Sequence, residues 1–366
     1  MAVAGAAGEV APGEEVNPLN ELIQARLTQG PVPAADVMAL GLYHPEHGYY
    51  RRTKGPWGFE GKDYYTALDL GPLLGQTLAL RLEAAWERLG RPGRFTALEP
   101  GAGRGWLGRD VLNAVSGPFA EALVYVHRDD SPAARYAAEQ ALAPFLTANR
   151  ARFAAESEPL DPFVGAVFSN ELFDALPAQP WRWEGECWTR EVLTDRGPEW
   201  QAADPGEAGA WFASQSDGLE PKDGSVWCAG LPELVQELVA PLQAGLFLAV
   251  DYGEPADRLL AKGADLRRFK AHSVDGKWHE DLGEADLTAD VDFTRLATLL
   301  QSHGLTDLTH MELSKWVRTH APLDLWGADW MAMPAPERKA RTENLLQLTL
   351  PGMLGSRFGV LEGWRR

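Results

Sequence analysis

Between Glu99 and Gly105 the chain reads EPGAGRG, an acid followed by glycines at alternate positions, Gly101, Gly103 and Gly105. Glycines so spaced let a turn take positive φ and let a ligand approach the backbone, and a carboxylate beside them suits a cationic ligand. Further along, FSNELFDALPAQ sets Asn170, Glu171 and Asp174 close together. An amide oxygen and two carboxylates can hold a nitrogen nucleophile and aim its lone pair at an electrophilic methyl group; two acids can also grip the planar fork of a guanidinium. Asp174 has a plainer reading as the cap of a following helix. At the glycine turn two cofactor readings are open. Gly103, Gly105 and Gly108 satisfy the GxGxxG spacing of dinucleotide sites, with Asp129 about 20 residues further for a ribose contact. Glu99 and Pro100 standing ahead of the glycines favour S-adenosylmethionine, a sulfonium with no pyrophosphate to neutralise.

For these groups to meet, the elements around them must place them at one edge of a sheet. Phe95 to Leu98 has the length and apolar character of a buried strand, and Trp106 to Val115 reads as the helix after the turn. Strand and helix then alternate: Ala122 to Val126, a helix from Pro132 to Leu146, Val164 to Ser169 and Gly245 to Val250. That alternation predicts an α/β fold with a doubly wound, mostly parallel sheet, and the carboxyl edge of such a sheet is where ligands bind. Ahead of it lie a helix capped by Asn17 and opened by Pro18, a short helix after Pro33, and a long helix from Gly71 to Leu89. The segment Tyr43 to Asp69 is too long, aromatic and Gly-punctuated for an ordinary connection and reads as a lid over the site. Within it His44 and His47 are spaced like metal ligands but lack a third, so no metal is expected. Trp181 to Trp227 reads as short strands inserted into the sheet.

The chain has 366 residues, 34 basic against 52 acidic, and a formal charge of −18. That balance argues against nucleic acid or anionic membranes as partners and is easier to reconcile with a basic one. No run is long and apolar enough to span a bilayer. Two cysteines, Cys187 and Cys228, without metal spacing, fit a reducing compartment and a cytoplasmic location. The expected organisation is a disordered tail over 1–16, an N-terminal helical and lid segment over 17–92, and a core over 93–366 with an insertion at about 178–243.

From about Pro18 to Leu361 the chain resembles the MidA-like methyltransferases, a class I, Rossmann-like family that includes the mitochondrial protein-arginine methyltransferase needed to assemble respiratory complex I. The likeness rests on GPVPAADVMALGLYHPEHGYY, DYYTALDLGPLLGQ, the glycine turn, NELFDALP, FLAVDYG, LRRFKAHS, DLTADVDFTRL and GMLGSRFGVL, in that order. It implies S-adenosyl-L-methionine as cofactor, held by Glu99, Gly101, Gly103, Gly105 and Asp129, with Asp63, Tyr64 and Thr66 closing over the methyl and Asn170 and Glu171 beside it. Asp129 would take the ribose hydroxyls where the family usually has Glu, and Asp251 and Tyr252 would stand at the cleft wall. His272, Asp286, Thr288, Asp290 and Asp292 could line the substrate cleft, with His272 counted among the catalytic residues alongside Asn170, Glu171 and Asp174. Asp292 has a second reading as a helix cap. Two departures bear on the substrate: TALD stands where the family has TSPE, and Gln76 where it has an acid. The expected function is methyl transfer to a protein nitrogen, arginine of a partner such as a respiratory-complex subunit. The alternative is an assembly or scaffolding factor that binds cofactor, and a dehydrogenase is the third reading.

Overall fold

The computed structural model describes residues 17–52, 67–216, 224–263, 265–321 and 333–366. The expected tail over 1–16, and Asp63, Tyr64 and Thr66 of the loop, lie outside the described residues. Eight strands make the central sheet: β1 (Phe95–Pro100), β2 (Leu123–Arg128), β3 (Ala151–Ala154), β4 (Phe163–Asn170), β5 (Leu242–Glu254), β6 (Val291–Asp292), β7 (Thr306–Glu312) and β8 (Phe358–Arg365). Their spatial order is β7-β8-β5-β4-β1-β2-β3, with β6 pairing alongside the far end of β5. Neighbours from β3 through β5 run parallel, and β8 alone runs against its neighbours β5 and β7.

The parallel strands are mostly apolar and largely buried because helices cover both faces, with their polar residues gathered mainly toward the carboxyl ends. Alternate side chains divide between two cores: Phe95, Ala97, Phe168 and Leu248 point to one, Leu98, Val167, Phe247 and Ala249 to the other. The first is closed by the helices Leu73–Arg88, Trp106–Ala114 and Leu313–His320, the second by Leu231–Val239 and Phe293–Ser302. From β1 the chain builds outward to β2 and β3, then returns to lay β4 on the other side of β1. The crevice at such a reversal is where open α/β sheets bind ligands.

Four strands of the sequence reading are present, each longer than read, though the one read from Ala122 starts at Leu123; β3, β6, β7 and β8 went unread. β3 and β6 are too short to show periodicity, and β7 is largely solvent-exposed and polar. The Trp-rich insertion forms its own antiparallel sheet from Gln179–Trp183, Trp188–Thr194, Gly197–Ala202 and Gly224–Trp227, extended by Val32–Pro33 from near the N-terminus. It is not strands alone. Glu207–Gln215 is a helix, placed by Ala208 and Phe212, four residues apart, packing with Trp181, Trp188 and Trp227. A third sheet joins Leu266–Lys270, Ser273–Asp275 and Asp286–Ala289. Among the described residues no helix is long and apolar enough to cross a membrane.

Candidate active site

The turn after β1 is built as its glycines require: Gly101, Gly103 and Gly105 have φ of 60°, 51° and 70°. A side chain at Gly101 would strike Leu172, and one at Gly105 would crowd Ala138 and Leu142, but one at Gly103 would enter open space. That space is a cleft lined by Glu99, Gly103, Asp129, Asn170 and Glu171, so both halves of the expected constellation border one cavity. Two side chains from β2 and its end hold Gly103. Its N–H donates to Asp129 Oδ2 at 2.8 Å, and its carbonyl lies 2.8 Å from His127 Nε2. A carbonyl only accepts, so Nε2 carries the proton; burial lowers the His127 pKa and keeps the ring neutral. The other oxygen of Asp129, a residue that lines the cleft, accepts from the Ser131 N–H at 2.7 Å.

Glu99 is buried and takes the Tyr125 hydroxyl at 2.7 Å; burial pushes its pKa up to about 8, against that hydrogen bond. Gly108, third glycine of the dinucleotide-like spacing, packs directly on the Tyr125 ring, so it serves the contact of helix and strand. Arg104 of the turn stacks on Trp106 at 3.7 Å and pairs with Asp69 at 2.6 Å. Asp69, the acid of the TALD departure, is thus engaged with the glycine turn. Gln76, the other departure, is not among the residues lining the cleft.

Across the crevice, Glu171 follows β4 with φ of 54°, a left-handed conformation that costs a non-glycine residue about 1–2 kcal/mol. Asp251, fully buried at the end of β5, holds it there. Its Oδ2 accepts the N–H groups of Leu172 at 3.0 Å and Phe173 at 2.8 Å, and its Oδ1 that of Tyr252 at 2.9 Å. Strain held by such over-determination is characteristic of functional sites. Asn170 donates from Nδ2 to Glu171 Oε1 at 2.8 Å, while its Oδ1 is buried and without a partner. Burial, then the charge of Asp174, push the Glu171 pKa up to about 8.

Asp174 is buried behind this turn and does not line the cleft. Its alternative role as a helix cap is corrected: no helix follows, and the chain passes by turns into the strand Gln179–Trp183. Burial raises its pKa to about 7, with Arg267 opposing. Asp292 is the cap its second reading made it, accepting the Arg295 N–H at 2.9 Å. His272 sits exposed at the tip of a hairpin, with φ of 62°, and is not among the residues lining the cleft, so the structure does not bring it to Asn170 and Glu171. His44 and His47 stack on one another with ring centroids 5.1 Å apart. Sequence reasoning missed Asp130 and Glu156, which also line the cleft, and the roles of His127 and Asp251. Asp130, beside Asp129, carried a local signal, and the resemblance put Asp251 at the cleft wall and not as the clamp of a turn. From the expected lid, Tyr43, Tyr50 and Arg51 line the cleft; Tyr43 donates to the Ala175 carbonyl at 2.9 Å and Arg51 to that of Asp130 at 3.1 Å.

These raised acids predict the pH dependence of stability. Folded, Glu99 and Glu171 hold protons to about pH 8 and Asp174 to about pH 7; unfolded, they release them near their ordinary values of 4.5 and 3.8. The unfolded chain therefore binds fewer protons between those limits, and stability falls as pH rises through that window. The thermal midpoint of the ligand-free protein is expected to drop from about pH 5 to about pH 8. A midpoint that climbs or stays level over that range would contradict these assignments.

The order β3-β2-β1-β4-β5-β8-β7 with β8 reversed, and an acid-glycine turn at its carboxyl edge, define a class I methyltransferase. Residues 77–311 match the family of S-adenosyl-L-methionine-dependent methyltransferases designated Methyltransf_28, and the chain belongs to it. It is similar to the mitochondrial protein arginine methyltransferase NDUFAF7 homolog of Drosophila melanogaster, 28% identical over 76% of this chain and 68% of that one. The Danio rerio NDUFAF7 is likewise 28% identical, over 76% of this chain and 70% of its own. Among solved structures, a superfamily member from Burkholderia thailandensis bound to S-adenosyl-homocysteine shares the fold, with a TM-score of 0.82 over 95% of this chain and 92% of that one at 23% identity. The expectation of a cytoplasmic location is overturned by these curated relatives, which are mitochondrial by name. The two cysteines, Cys187 and Cys228, are unpaired and name no compartment.

The chain is accordingly an S-adenosyl-L-methionine-dependent enzyme, and its cleft fits that cofactor. The open approach at Gly103, the unpartnered Asn170 Oδ1, and carboxylates suited to a sulfonium and an amino group are what such a ligand needs.

Proposed function

We propose that this enzyme methylates an arginine nitrogen of a partner protein. The reading rests chiefly on Glu171: a carboxyl held in a strained turn at the cleft, hydrogen-bonded by Asn170, with a second acid behind it. In this reading Glu99, Gly101, Gly103, Gly105 and Asp129 hold the cofactor, which supplies a methyl group already activated on a sulfonium. Glu171 and the Asn170 carbonyl orient the guanidinium, whose charge draws Glu171 into its ionised form. The attacking nitrogen loses one proton as it gains the methyl, and Glu171 lies where it can receive it. Alignment and charge complementarity are sufficient, so no metal and no covalent enzyme intermediate are invoked. The arginine activity in the names of the relatives supports the choice of nitrogen.

The test is mass spectrometry of cell protein incubated with the enzyme and isotopically labelled S-adenosylmethionine. Label is expected on arginine. Label on lysine, on a carboxyl group or on small molecules alone would reject the proposal.

A further inference from the structure

A second groove, about 920 Å³, lies beyond the cleft, and Tyr252, Arg267, Phe269 and Val274 are among the residues lining it. Tyr252 stands where groove and cleft adjoin. Alternate side chains of a strand share a face, so Asn170 continues the face of Phe168 on β4, and Val250 and Tyr252 continue that of Leu248 on β5; Phe168 and Leu248 enter the same core, so the face is one. Asn170 pairs in register with Val250, and the Glu171 N–H donates to the Val250 carbonyl at 2.9 Å. Neighbouring strands lie about 5 Å apart and rise about 3.3 Å per residue, which sets the Cα atoms of Asn170 and Tyr252 about 8 Å apart. Burial, then the charges of Glu171 and Asp174, push up the pKa of the Tyr252 hydroxyl, in keeping with that placement.

The far wall of the groove is the third sheet. Leu266 enters the same core as Leu287, which turns Arg267 and Phe269 to the other face. Val274 stands opposite Phe269 in register and is 52% exposed, so an apolar side chain faces the groove uncovered. Most charges there are tied to one another: Arg258 pairs with Glu254 at 3.4 Å, Arg267 with Asp290 at 2.6 Å, and Lys262 also with Asp290. Asp257, Glu312 and Arg357 have no ion-pair partner among the described residues, so the unpaired acids outnumber the unpaired cation.

We propose that this groove docks the substrate polypeptide, holding in extended form the segment that flanks the target arginine, with an apolar side chain of that segment against Phe269 and Val274; this rests on the protein-arginine reading above. The arginine passes Tyr252 to reach Asn170 and Glu171, and the residues on one side of it run between the third sheet and the rim formed by the ends of β5 and β7 and the start of β8. Phe269 and Val274 supply the apolar contact, while Asp257 and Glu312 favour a basic neighbour of the arginine over an acidic one. Arg267 is kept from repelling that neighbour by its pairing with Asp290. Free arginine would fill the acid site and leave the groove empty, so the groove is what selects a polypeptide.

The experiment uses the full chain, isotopically labelled S-adenosylmethionine and cell protein from a source lacking the enzyme. Val274→Asp puts a charge on the apolar wall at an exposed position. Labelling at limiting protein concentration is expected to fall about tenfold, the scale of losing the burial of one apolar side chain. Val274→Leu keeps the wild-type rate, and both variants keep the wild-type affinity for S-adenosyl-homocysteine. With the photo-crosslinker benzoylphenylalanine in place of Val274, the cross-linked segment is expected to contain the residue that takes the label. Labelling by Val274→Asp at the wild-type rate overturns the groove and leaves the arginine reading intact. A loss repeated in Val274→Leu, or matched by a fall in S-adenosyl-homocysteine affinity, also overturns the groove, since either marks a packing role. So does a cross-link to a second copy of this chain, to a segment without the labelled residue, or to nothing. Label and cross-link together on a segment modified at a residue other than arginine leave the groove standing and overturn the arginine reading; a wild type that labels no protein overturns both.

Discussion

Glu171→Gln is expected to lower methylation by about two orders of magnitude or more, the scale of removing one preorganised electrostatic contact from a site that works by charge complementarity. The substitution keeps the length of the side chain and an oxygen to accept from Asn170 Nδ2, so the turn survives. Affinity for S-adenosyl-homocysteine should change little. Because burial already resists ionisation of this carboxyl, with its pKa near 8, the neutral variant should be at least as stable as the wild type above that pH. Methylation by the wild type should rise with pH as Glu171 ionises, and this limb should be missing from the residual activity of the variant. Single-turnover kinetics alongside calorimetric binding would separate chemistry from affinity. Wild-type turnover in Glu171→Gln would exclude the assignment and move attention to Asp286 and the acids near it.

The second large effect is expected at Gly103. Its N–H and carbonyl are both engaged, by Asp129 and His127, so the turn cannot shift to accommodate a new side chain. Its φ of 51° adds about 1–2 kcal/mol of strain for any other residue. The added atoms would stand in the open space of the cleft. Gly103→Ala should show little beyond the strain, about a tenfold loss of cofactor affinity at most. Gly103→Val should remove measurable binding of S-adenosylmethionine and S-adenosyl-homocysteine while the thermal midpoint stays close to that of the alanine variant. Equal binding by the two variants would mean that no ligand passes Gly103, and the placement of the cofactor would have to be abandoned.

Much of this architecture could be read from residue order. Alternating apolar runs and helical periodicities announce a parallel sheet because both faces of such strands must be dry. Asn17 and Asp292 cap helices as their types suggest, accepting the N–H groups of Leu19 and Arg295. The three glycines of the turn marked positive φ because no other residue takes it cheaply. Where the reading failed, the missing information was short or distant. β3 is too brief for a period to show, and the Asp174 cap looked plausible because a carboxylate after a strand often opens a helix. Here the Asp251 carboxylate fixes Leu172 and Phe173 ahead of Asp174, and the residues after Asp174 run as turns into the strand Gln179–Trp183.

The sequence by itself pointed to the class of cofactor, through the order of acid and glycines and the family resemblance, and to the pair of loops that should face each other, through their places at strand ends. Tertiary structure alone decided what holds them and what charge they carry. Asp251 clamps a turn 78 positions away, Tyr50 reaches Asp286 across 236, and Arg104 pairs with Asp69. Such pairings are set by how the sheet edge folds back on the chain, and nothing in the spacing of either partner encodes the other. The raised acids have the same origin: a carboxyl titrates according to the water and charges around it, and those exist only once the cleft is formed.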